Sequence, residues 1–207
     1  MSLAPLLNAL GEEHGVRGLQ LTDSSKAPLV SWGHAPSAEK NPISEEYKRK
    51  WARLALETAT SKKLRVVFLV GFWEIYSRPS FAQELQQTVQ EFNQRGVRVV
   101  FVCDNPAQTK DPSRQARLAL RWSWMSQPTP IPPEIHREKN SVVNEAVADL
   151  PAEADVVVVD IAPTILEWKS LLSEDGQLLY YDDDHLSDAG AMRLRPLFES
   201  IFEELAK

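Results

Sequence analysis

The sequence predicts an α/β domain with a parallel sheet, and two observations lead to this prediction. Short runs rich in β-branched and other apolar residues alternate along the chain with stretches of helical periodicity. Three runs have almost no polar interruption, as expected for strands covered by helices on both faces: Leu64–Val70, Val97–Cys103 and Ala154–Asp160. A chain of 207 residues, 43% of them hydrophobic and 25% charged, suits a single domain with a full core.

The predicted elements before these strands begin with a helix. Residues Leu3–Glu13 place leucines on one helical face, and Gly15 is expected to end the helix. Val16–Leu21 is predicted as a first strand, and Thr22–Pro42 as a polar loop. A second helix is predicted from Ser44 to about Ser61.

The segments that follow the apolar strands are a mixture of helix and irregular chain. Phe81–Arg95 is predicted as a helix closed by Gly96, and Ser141–Leu150 as another helix. Asp104–Arg137 contains six prolines and is expected to be irregular, with one short helix around Arg114–Met125.

The C-terminal part of the chain is predicted to hold a short strand and a final helix. Gln177–Tyr181 is the candidate strand, and Ser187 is expected to cap the helix that follows. Pro196 is expected to bend this helix near its start. The order of elements is therefore a helix first and then repeated β-α units, whereas a doubly wound sheet normally opens with a strand.

Composition excludes several classes of function. The formal net charge of -6 argues against nucleic acid as a partner, because binding phosphates requires a basic surface. The single cysteine, Cys103, excludes an internal disulfide. The histidines outside the C-terminal loop are scattered, and no thiol pair or glycine-rich fingerprint is present, so we predict neither a metal nor another cofactor. No stretch reaches the roughly 18 apolar residues of a membrane helix, and the N-terminus lacks a signal-peptide pattern.

The most informative local motif is an Asp-x-x-His pair formed by Asp182 and His185. This spacing lets a carboxylate reach one imidazole nitrogen and leaves the other free to accept a proton from a nucleophile, as in a serine-hydrolase triad. The alternative interpretation is an acidic surface loop with one exposed histidine. Leu186-Ser187 and Gly190-Ala191, in register after the pair, favour the catalytic interpretation.

These residues resemble the SGNH (GDSL-type) hydrolase superfamily. They resemble most closely the SGNH domain behind the membrane part of bacterial O-antigen acetylase-type acyltransferases. The motif Asp-x-x-His-Leu-Ser-x-x-Gly-Ala, from Asp182 to Ala191, is similar to the last block of that group. Val66–Tyr76 is similar to its strand ending in Trp-x-x-Tyr, and Leu19–Leu29 to the segment after its first helix.

The resemblance implies a flavodoxin-like three-layer sandwich with a mostly parallel sheet, formed by residues 1–207 as a single SGNH-like domain. It also implies a Ser-His-Asp mechanism, with His185 as general base and then general acid and Asp182 as its orienting carboxylate. The family carries its nucleophilic serine in a Gly-Asp-Ser motif on a central strand before the first helix. This sequence starts at that helix, so we expect the first central strand and the nucleophile to be missing and the domain to be N-terminally truncated relative to the family.

The resemblance also points to oxyanion and substrate positions. Where broader SGNH enzymes have Gly-x-Asn-Asp, this chain has Gly71-Phe72-Trp73-Glu74, and one indole N–H cannot replace the asparagine at that point. Gly71 and Trp73 remain candidates, with Ser24 and Ser25 as loop or substrate-contact residues. Ser2 lies nearest to the missing motif, although a plain helix cap is the better interpretation.

Two functional hypotheses follow from the resemblance. One is carbohydrate O-acyl transfer, with acetyl as the expected group, or ester hydrolysis, impaired here because the serine is absent. The other is a catalytically dead SGNH fold that binds a glycan or a protein. The expected partners are a carbohydrate or acyl-ester substrate and, in a full-length relative, a membrane acyltransferase domain. The location would be cytoplasmic for this chain alone and periplasmic for the tail of such a protein.

A third hypothesis is a flavodoxin-like nucleotide-binding module, with Asp104 and Asp160 at the carboxyl ends of buried strands. The lack of a glycine-rich loop argues against it.

Overall fold

The computed structural model describes residues 3–22, 29–30, 42–122 and 125–207. For residues 42–49 only the backbone is described. The described chain divides into two compact units, each built from separate stretches of sequence. The sheet unit comprises Leu21–Cys103 and Asn140–Val159. The helical unit comprises Met1–Gln20, Asp104–Lys139 and Asp160–Lys207. None of the described helices is both long and apolar enough to cross a membrane.

Among its described residues, the sheet unit contains three parallel strands, β1 (Val66–Val70), β2 (Arg98–Val102) and β3 (Val156–Val159), in the order β1-β2-β3. The register aligns Val70, Val102 and Val159, so all three strands end at the same edge. The parallel sheet predicted from the three apolar runs is confirmed.

Three helices belong to the sheet unit: α2 (Pro42–Ser61), α3 (Phe81–Asn93) and α6 (Ser141–Ala148). A 3₁₀ turn, Trp73–Tyr76, follows β1. The apolar core forms where one face of β2 meets these helices, because Val99 and Phe101 point to the same face of a strand. The main buried members of this core are Leu56, Leu69, Trp73, Leu85, Val89, Phe92, Val99, Phe101 and Val143. Cys103, directly after β2, is buried in the same cluster.

The helical unit contains six helices among the described residues: α1 (Ala4–His14), α4 (Pro112–Arg121), α5 (Pro133–Lys139), α7 (Ala162–Leu166), α8 (Asp188–Arg193) and α9 (Glu199–Leu205). Helix α1 buries Leu6 and Leu10 and ends at Gly15, whose φ of 67° is left-handed, as predicted. Leu3 holds the N-cap position of α1, and Ser2 lies outside the described residues.

An ionic cluster joins the end of α1 to α9. The guanidinium of Arg195 donates to Glu13 at 2.6 Å and to Glu199 at 2.9 Å. The Nε2 atom of His14 lies 3.1 Å from Glu199. Hydrogen bonds from Arg195 and then from His14, the two largest effects, hold the pKa of the Glu199 carboxyl below its ordinary value.

The predicted strand Val16–Leu21 is wrong, because these residues form no strand in the described part of the chain. Leu19 is 56% exposed and Leu21 43% exposed, so the segment buries no apolar face against a neighbour. Gln177–Tyr181 is not a strand either. It contributes only isolated antiparallel bridges, Leu172 with Leu178 and Tyr180 with Leu186.

The final helix is interrupted rather than bent. Helix α8 stops at Arg193, a 3₁₀ turn covers Arg195–Leu197, and α9 begins at Glu199. Proline has no N–H to donate and clashes with the preceding turn, so Pro196 ends the regular hydrogen-bond pattern here. The predicted cap is confirmed, since the Ser187 hydroxyl accepts from the N–H of Gly190 at 3.1 Å.

Candidate active site

The Asp-x-x-His motif lies in a short loop that is closed by backbone hydrogen bonds. Tyr180 and Leu186 form an antiparallel bridge, and the N–H of Tyr181 donates to the carbonyl of His185 at 2.7 Å. The N–H of Ser187 donates to the carbonyl of Leu179 at 3.1 Å. The chain therefore turns back on itself between residues 181 and 185, and we call this stretch the catalytic loop after the role predicted from the sequence for Asp182 and His185.

Within the catalytic loop, Asp182 and His185 are in direct contact. The Nδ1 atom of His185 lies 3.0 Å from each carboxylate oxygen of Asp182. An ionised carboxylate only accepts hydrogen bonds, so this contact places the ring proton on Nδ1. Among the described residues, Nε2 of His185 has no hydrogen-bond partner, and the imidazole side chain is 50% exposed. Asp182 therefore holds one nitrogen of a half-exposed ring.

The Asp182 carboxylate is itself held by the backbone. Its Oδ1 accepts from the N–H of His185 at 2.7 Å and from the N–H of Asp184 at 3.0 Å. Partial burial acts to raise the pKa of Asp182. The two peptide hydrogen bonds and the imidazole outweigh burial and hold the pKa below its ordinary value. Asp182 thus stays ionised and fixed at neutral pH.

A second carboxylate approaches the same ring nitrogen. Oδ1 of Asp184 lies 2.6 Å from Nδ1 of His185, as an ion-pair contact. Partial burial and the neighbouring carboxyl of Asp182 raise the pKa of Asp184, although His185 acts to lower it. One N–H cannot donate fully to two carboxylates, so Asp182 and Asp184 compete for the ring.

Two groups of described residues bring three ligand-type atoms within 4.8 Å of one another. One consists of Asp182, Asp184 and His185. The other consists of Glu13, His14 and Glu199, where the guanidinium of Arg195 already occupies both glutamates. Exposed acidic groups of this kind are common without a metal ion, so neither group by itself indicates a metal site.

An open depression of about 630 Å³ adjoins the catalytic pair. It is lined on one side by Asp182 and His185 and on the other by the start of helix α8. Tyr181 also lines it, with a ring that is 76% exposed. Because His185 lines the depression, its imidazole adjoins an open space of this size.

The catalytic loop is supported from below by a buried polar segment that sequence reasoning did not identify. The N–H of Gln108 donates to the carbonyl of Asp183 at 2.6 Å, and the side chain of Asn105 donates to the carbonyl of Asp184 at 3.1 Å. The hydroxyl of Tyr180 donates to the carbonyl of Pro106 at 2.8 Å. The available sequence signal was a run of polar residues directly after a buried strand.

The oxyanion candidates Gly71 and Trp73 belong to the sheet unit. Trp73 is fully buried, its ring stacks on Phe101 at a centroid distance of 4.7 Å, and its Nε1–H donates to the carbonyl of Val102 at 2.8 Å. A Cβ added at Gly71 would lie 3.3 Å from the Trp73 ring, so glycine permits this close packing. These contacts give Trp73 a packing role, and contact with a substrate stays a prediction. Ser24 and Ser25 lie outside the described residues.

The comparisons with known proteins bear on fold and family. The sequence model of one family, described as SGNH domain (fused to AT3 domains), matches residues 1–200. The chain also resembles the periplasmic domain of the Salmonella ser. Paratyphi A lipopolysaccharide acetyltransferase. The TM-score is 0.69 at 14% identity, covering 99% of this chain and 79% of that one. This likeness shows the fold, and the predicted SGNH-type α/β fold is confirmed.

A second solved structure, a candidate SGNH hydrolase from Slackia heliotrinireducens, has a TM-score of 0.47 at 15% identity. It covers 78% of this chain and 79% of its own, and its score is too low to carry an argument. No curated protein sequence matches the chain significantly.

Proposed function

Because the chain belongs to the family of SGNH domains that are fused to AT3 domains, we propose that it serves carbohydrate O-acyl transfer or ester hydrolysis through Asp182 and His185. The observation that carries the proposal is the contact between Nδ1 of His185 and Asp182, in a histidine that lines an open depression. A base of this kind needs one fixed tautomer and one accessible nitrogen, and the pair supplies both.

In the proposed reaction, a serine hydroxyl attacks the carbonyl of an acyl donor while Nε2 of His185 takes the hydroxyl proton. Asp182 stabilises the imidazolium that forms. The bond between the acyl carbon and the donor oxygen then breaks, and His185 returns the proton to that oxygen. An acceptor hydroxyl, or water, next attacks the acyl-serine with His185 again as base, which completes transfer or hydrolysis.

Acetyl is the proposed acyl group, and a polysaccharide hydroxyl the proposed acceptor. The support is the likeness in fold to a lipopolysaccharide acetyltransferase periplasmic domain and the match to domains fused to AT3 domains. An AT3 domain would supply the acyl group, and the site of action would then be the periplasm. Gly71, Trp73, Ser24 and Ser25 are the proposed oxyanion or substrate-contact positions.

The sequence contains no Gly-Asp-Ser tripeptide, so the serine is tested directly. Hydrolysis of p-nitrophenyl acetate is compared for the 207-residue chain and for the same chain extended N-terminally by a strand bearing Gly-Asp-Ser. We expect turnover only in the extended form. There, His185→Ala should lower kcat/KM by on the order of 10²-fold to 10⁴-fold, the usual contribution of a general base.

The matched control is His136→Ala, which removes a histidine outside the catalytic loop and should leave turnover unchanged. Free imidazole should partly restore the His185→Ala variant, because the missing base is then supplied from solution. If the 207-residue chain is already active and Ser2→Ala leaves that activity intact, the placement of the nucleophile is wrong.

A second candidate function is a catalytically inactive SGNH domain that binds a glycan or a partner protein. It is supported by Trp73, which stands where broader SGNH enzymes have asparagine and whose N–H already donates to the carbonyl of Val102. In this case His185→Ala changes neither ester turnover nor acetyl transfer in the extended protein, while binding to a polysaccharide acceptor survives.

A further inference from the structure

The stretch Asp104–Gln108, which we call the clamp segment, carries three buried polar side chains. Asp104 is 1% exposed, Asn105 2% and Gln108 7%. Burying an amide is costly unless its donors and acceptors are satisfied, so the partners of these groups are informative. Asn105 and Gln108 direct hydrogen bonds to the catalytic loop, and the reaction proposed above uses neither residue.

The clamp segment holds both residues that separate Asp182 from His185. The carbonyl of Asp183 accepts from the Gln108 N–H at 2.6 Å, and the carbonyl of Asp184 accepts from the Asn105 side chain at 3.1 Å. The peptide groups fixed in this way include those whose N–H groups hold the Asp182 carboxylate. The position of that carboxylate therefore depends on the clamp segment.

The clamp segment is itself cross-braced. The side chain of Gln108 donates to the carbonyl of Pro106 at 2.6 Å and accepts from the N–H of Ile131 at 3.1 Å. The hydroxyl of Tyr180 donates to the same carbonyl and accepts from Asn105 at 3.4 Å. This buried network is a rigid base for a loop whose functional side chains are partly exposed.

We propose that Asn105 is a positioning residue for the catalytic pair, a role that rests on the proposed function. By holding the Asp184 carbonyl, Asn105 keeps the loop in the conformation that sets both carboxylates against Nδ1 of His185. Asp182 and Asp184 lie 3.0 and 2.6 Å from this nitrogen. In a loop free to shift, Nδ1 would lose these contacts, and a neutral imidazole with no carboxylate at Nδ1 is free to carry its proton on Nε2. Asn105 therefore sets which ring nitrogen carries the proton and which faces substrate.

The direct test reads the His185 tautomer by long-range ¹H–¹⁵N NMR of the imidazole in the 207-residue chain, at a pH where the ring is neutral. We expect the neutral His185 ring of the parent chain to carry its proton on Nδ1. In Asn105→Ala this preference should be lost, and the form protonated on Nε2 should gain population. Asn105→Ser keeps a hydroxyl that is too short to reach the Asp184 carbonyl and should behave in the same way. Asn140→Ala is the matched control, since Asn140 is also buried but lies in the sheet unit.

This tautomer measurement needs no turnover. It therefore tests the positioning role of Asn105 independently of the proposed acyl transfer or ester hydrolysis. In the Gly-Asp-Ser-extended protein, Asn105→Ala should lower kcat by on the order of 10-fold to 100-fold, with KM changed less than about twofold. If the extended parent shows no turnover, the proposed function fails while the tautomer result still stands.

Three outcomes would overturn the role of Asn105. One is a parent whose His185 proton is mainly on Nε2. Another is a folded Asn105→Ala or Asn105→Ser variant that keeps the parental tautomer ratio. The third is failure of both variants to fold while Asn140→Ala folds, which would make Asn105 a residue of general stability.

Discussion

Two carboxylates meet one imidazole nitrogen in the catalytic loop, and hydrogen bonding separates their roles. Asp182 is held by two peptide N–H groups and by the ring, whereas Asp184 contacts the ring from a position fixed through its own carbonyl. The pKa of Asp182 is lowered and that of Asp184 is raised, so the first carboxyl is the better permanent acceptor.

The sequence could predict this pair because a three-residue separation in a tight turn brings the two side chains together locally. The support from Asn105 and Gln108 could not be predicted in the same way. It joins positions more than 70 residues apart, such as Asn105 and Asp184, and so depends on how distant segments pack. Burial of the three polar side chains Asp104, Asn105 and Gln108 is visible only once the chain has folded.

Tyr180 gives a prediction about alkaline stability. Burial, the largest effect, raises the pKa of Tyr180 to about 12, despite hydrogen bonds from Asn105 and Gln108 that act to lower it. The Tyr180 hydroxyl ionises near pH 10 in the unfolded chain and only near pH 12 in the folded chain. Its contribution to the free energy of unfolding is therefore complete below about pH 10. The protein loses this contribution as the pH rises to 12. Its size is on the order of 2–3 kcal/mol, because the pKa of Tyr180 differs by about two between the folded and the unfolded chain.

Urea unfolding at pH 7 and pH 11 measures this contribution. Tyr180→Phe should be less stable than the parent at pH 7 by about 1 kcal/mol, the net value of a lost hydrogen bond, and should lose less stability at pH 11. Tyr181→Phe is the control, because its ring is 76% exposed, and it should follow the parent at both values. Equal alkaline losses in parent and Tyr180→Phe would contradict the prediction.

At the scale of elements, helix α8 packs unusually close to the strand-like segment before the catalytic loop. A Cβ added at Gly190 would lie 2.0 Å from the carbonyl oxygen of Leu179 and 2.9 Å from its carbonyl carbon. Both atoms belong to the backbone and cannot rotate away. Only glycine at position 190 therefore lets α8 approach the backbone of Leu179 this closely. This packing explains the glycine of the Gly-Ala pair that follows the Asp-x-x-His motif.

Gly190→Ala should lower the free energy of unfolding by about 2 kcal/mol or more, because the methyl group forces backbone atoms apart. Gly18→Ala is the matched control, since no atom lies within 4 Å of the added Cβ there, and its stability should stay within about 0.5 kcal/mol of the parent. Thermal and urea unfolding of both variants check this. A Gly190→Ala protein as stable as Gly18→Ala would show that α8 can move aside.

Strand prediction succeeded where apolar runs are buried and failed where they are not. The runs that became β1, β2 and β3 were found because continuous valine-rich segments fit a covered parallel sheet. Val16–Leu21 contains three apolar residues, but composition records only local suitability for a strand. A strand also needs a neighbour to pair with, and residues 16–22 pair with none of the described strands.

At the scale of the whole molecule, neither unit is a continuous stretch of sequence. The sheet unit takes β1, β2 and α3 from Leu21–Cys103 but takes α6 and β3 from Asn140–Val159. The sequence predicted one domain, an expectation that stays a prediction. Alternation of strands and helices indicates a fold class but does not indicate which segments share a core.

This arrangement predicts that a fragment of residues 21–103 does not fold alone. It would lack the β3 partner of β2 and the core side chains Val143 and Ala146 of α6. Circular dichroism should show no cooperative thermal transition for the fragment, in contrast to the full chain. A cooperative transition in the fragment would mean that β1, β2 and α3 form a sufficient core by themselves.

The burial of Cys103 gives the protein an intrinsic reporter. As the chain's one thiol, 7% exposed within the sheet unit's core, it is shielded from bulky alkylating reagents until that unit opens. The rate at which such a reagent labels the native protein therefore measures transient opening of the sheet unit, with no added probe and no signal from the catalytic loop.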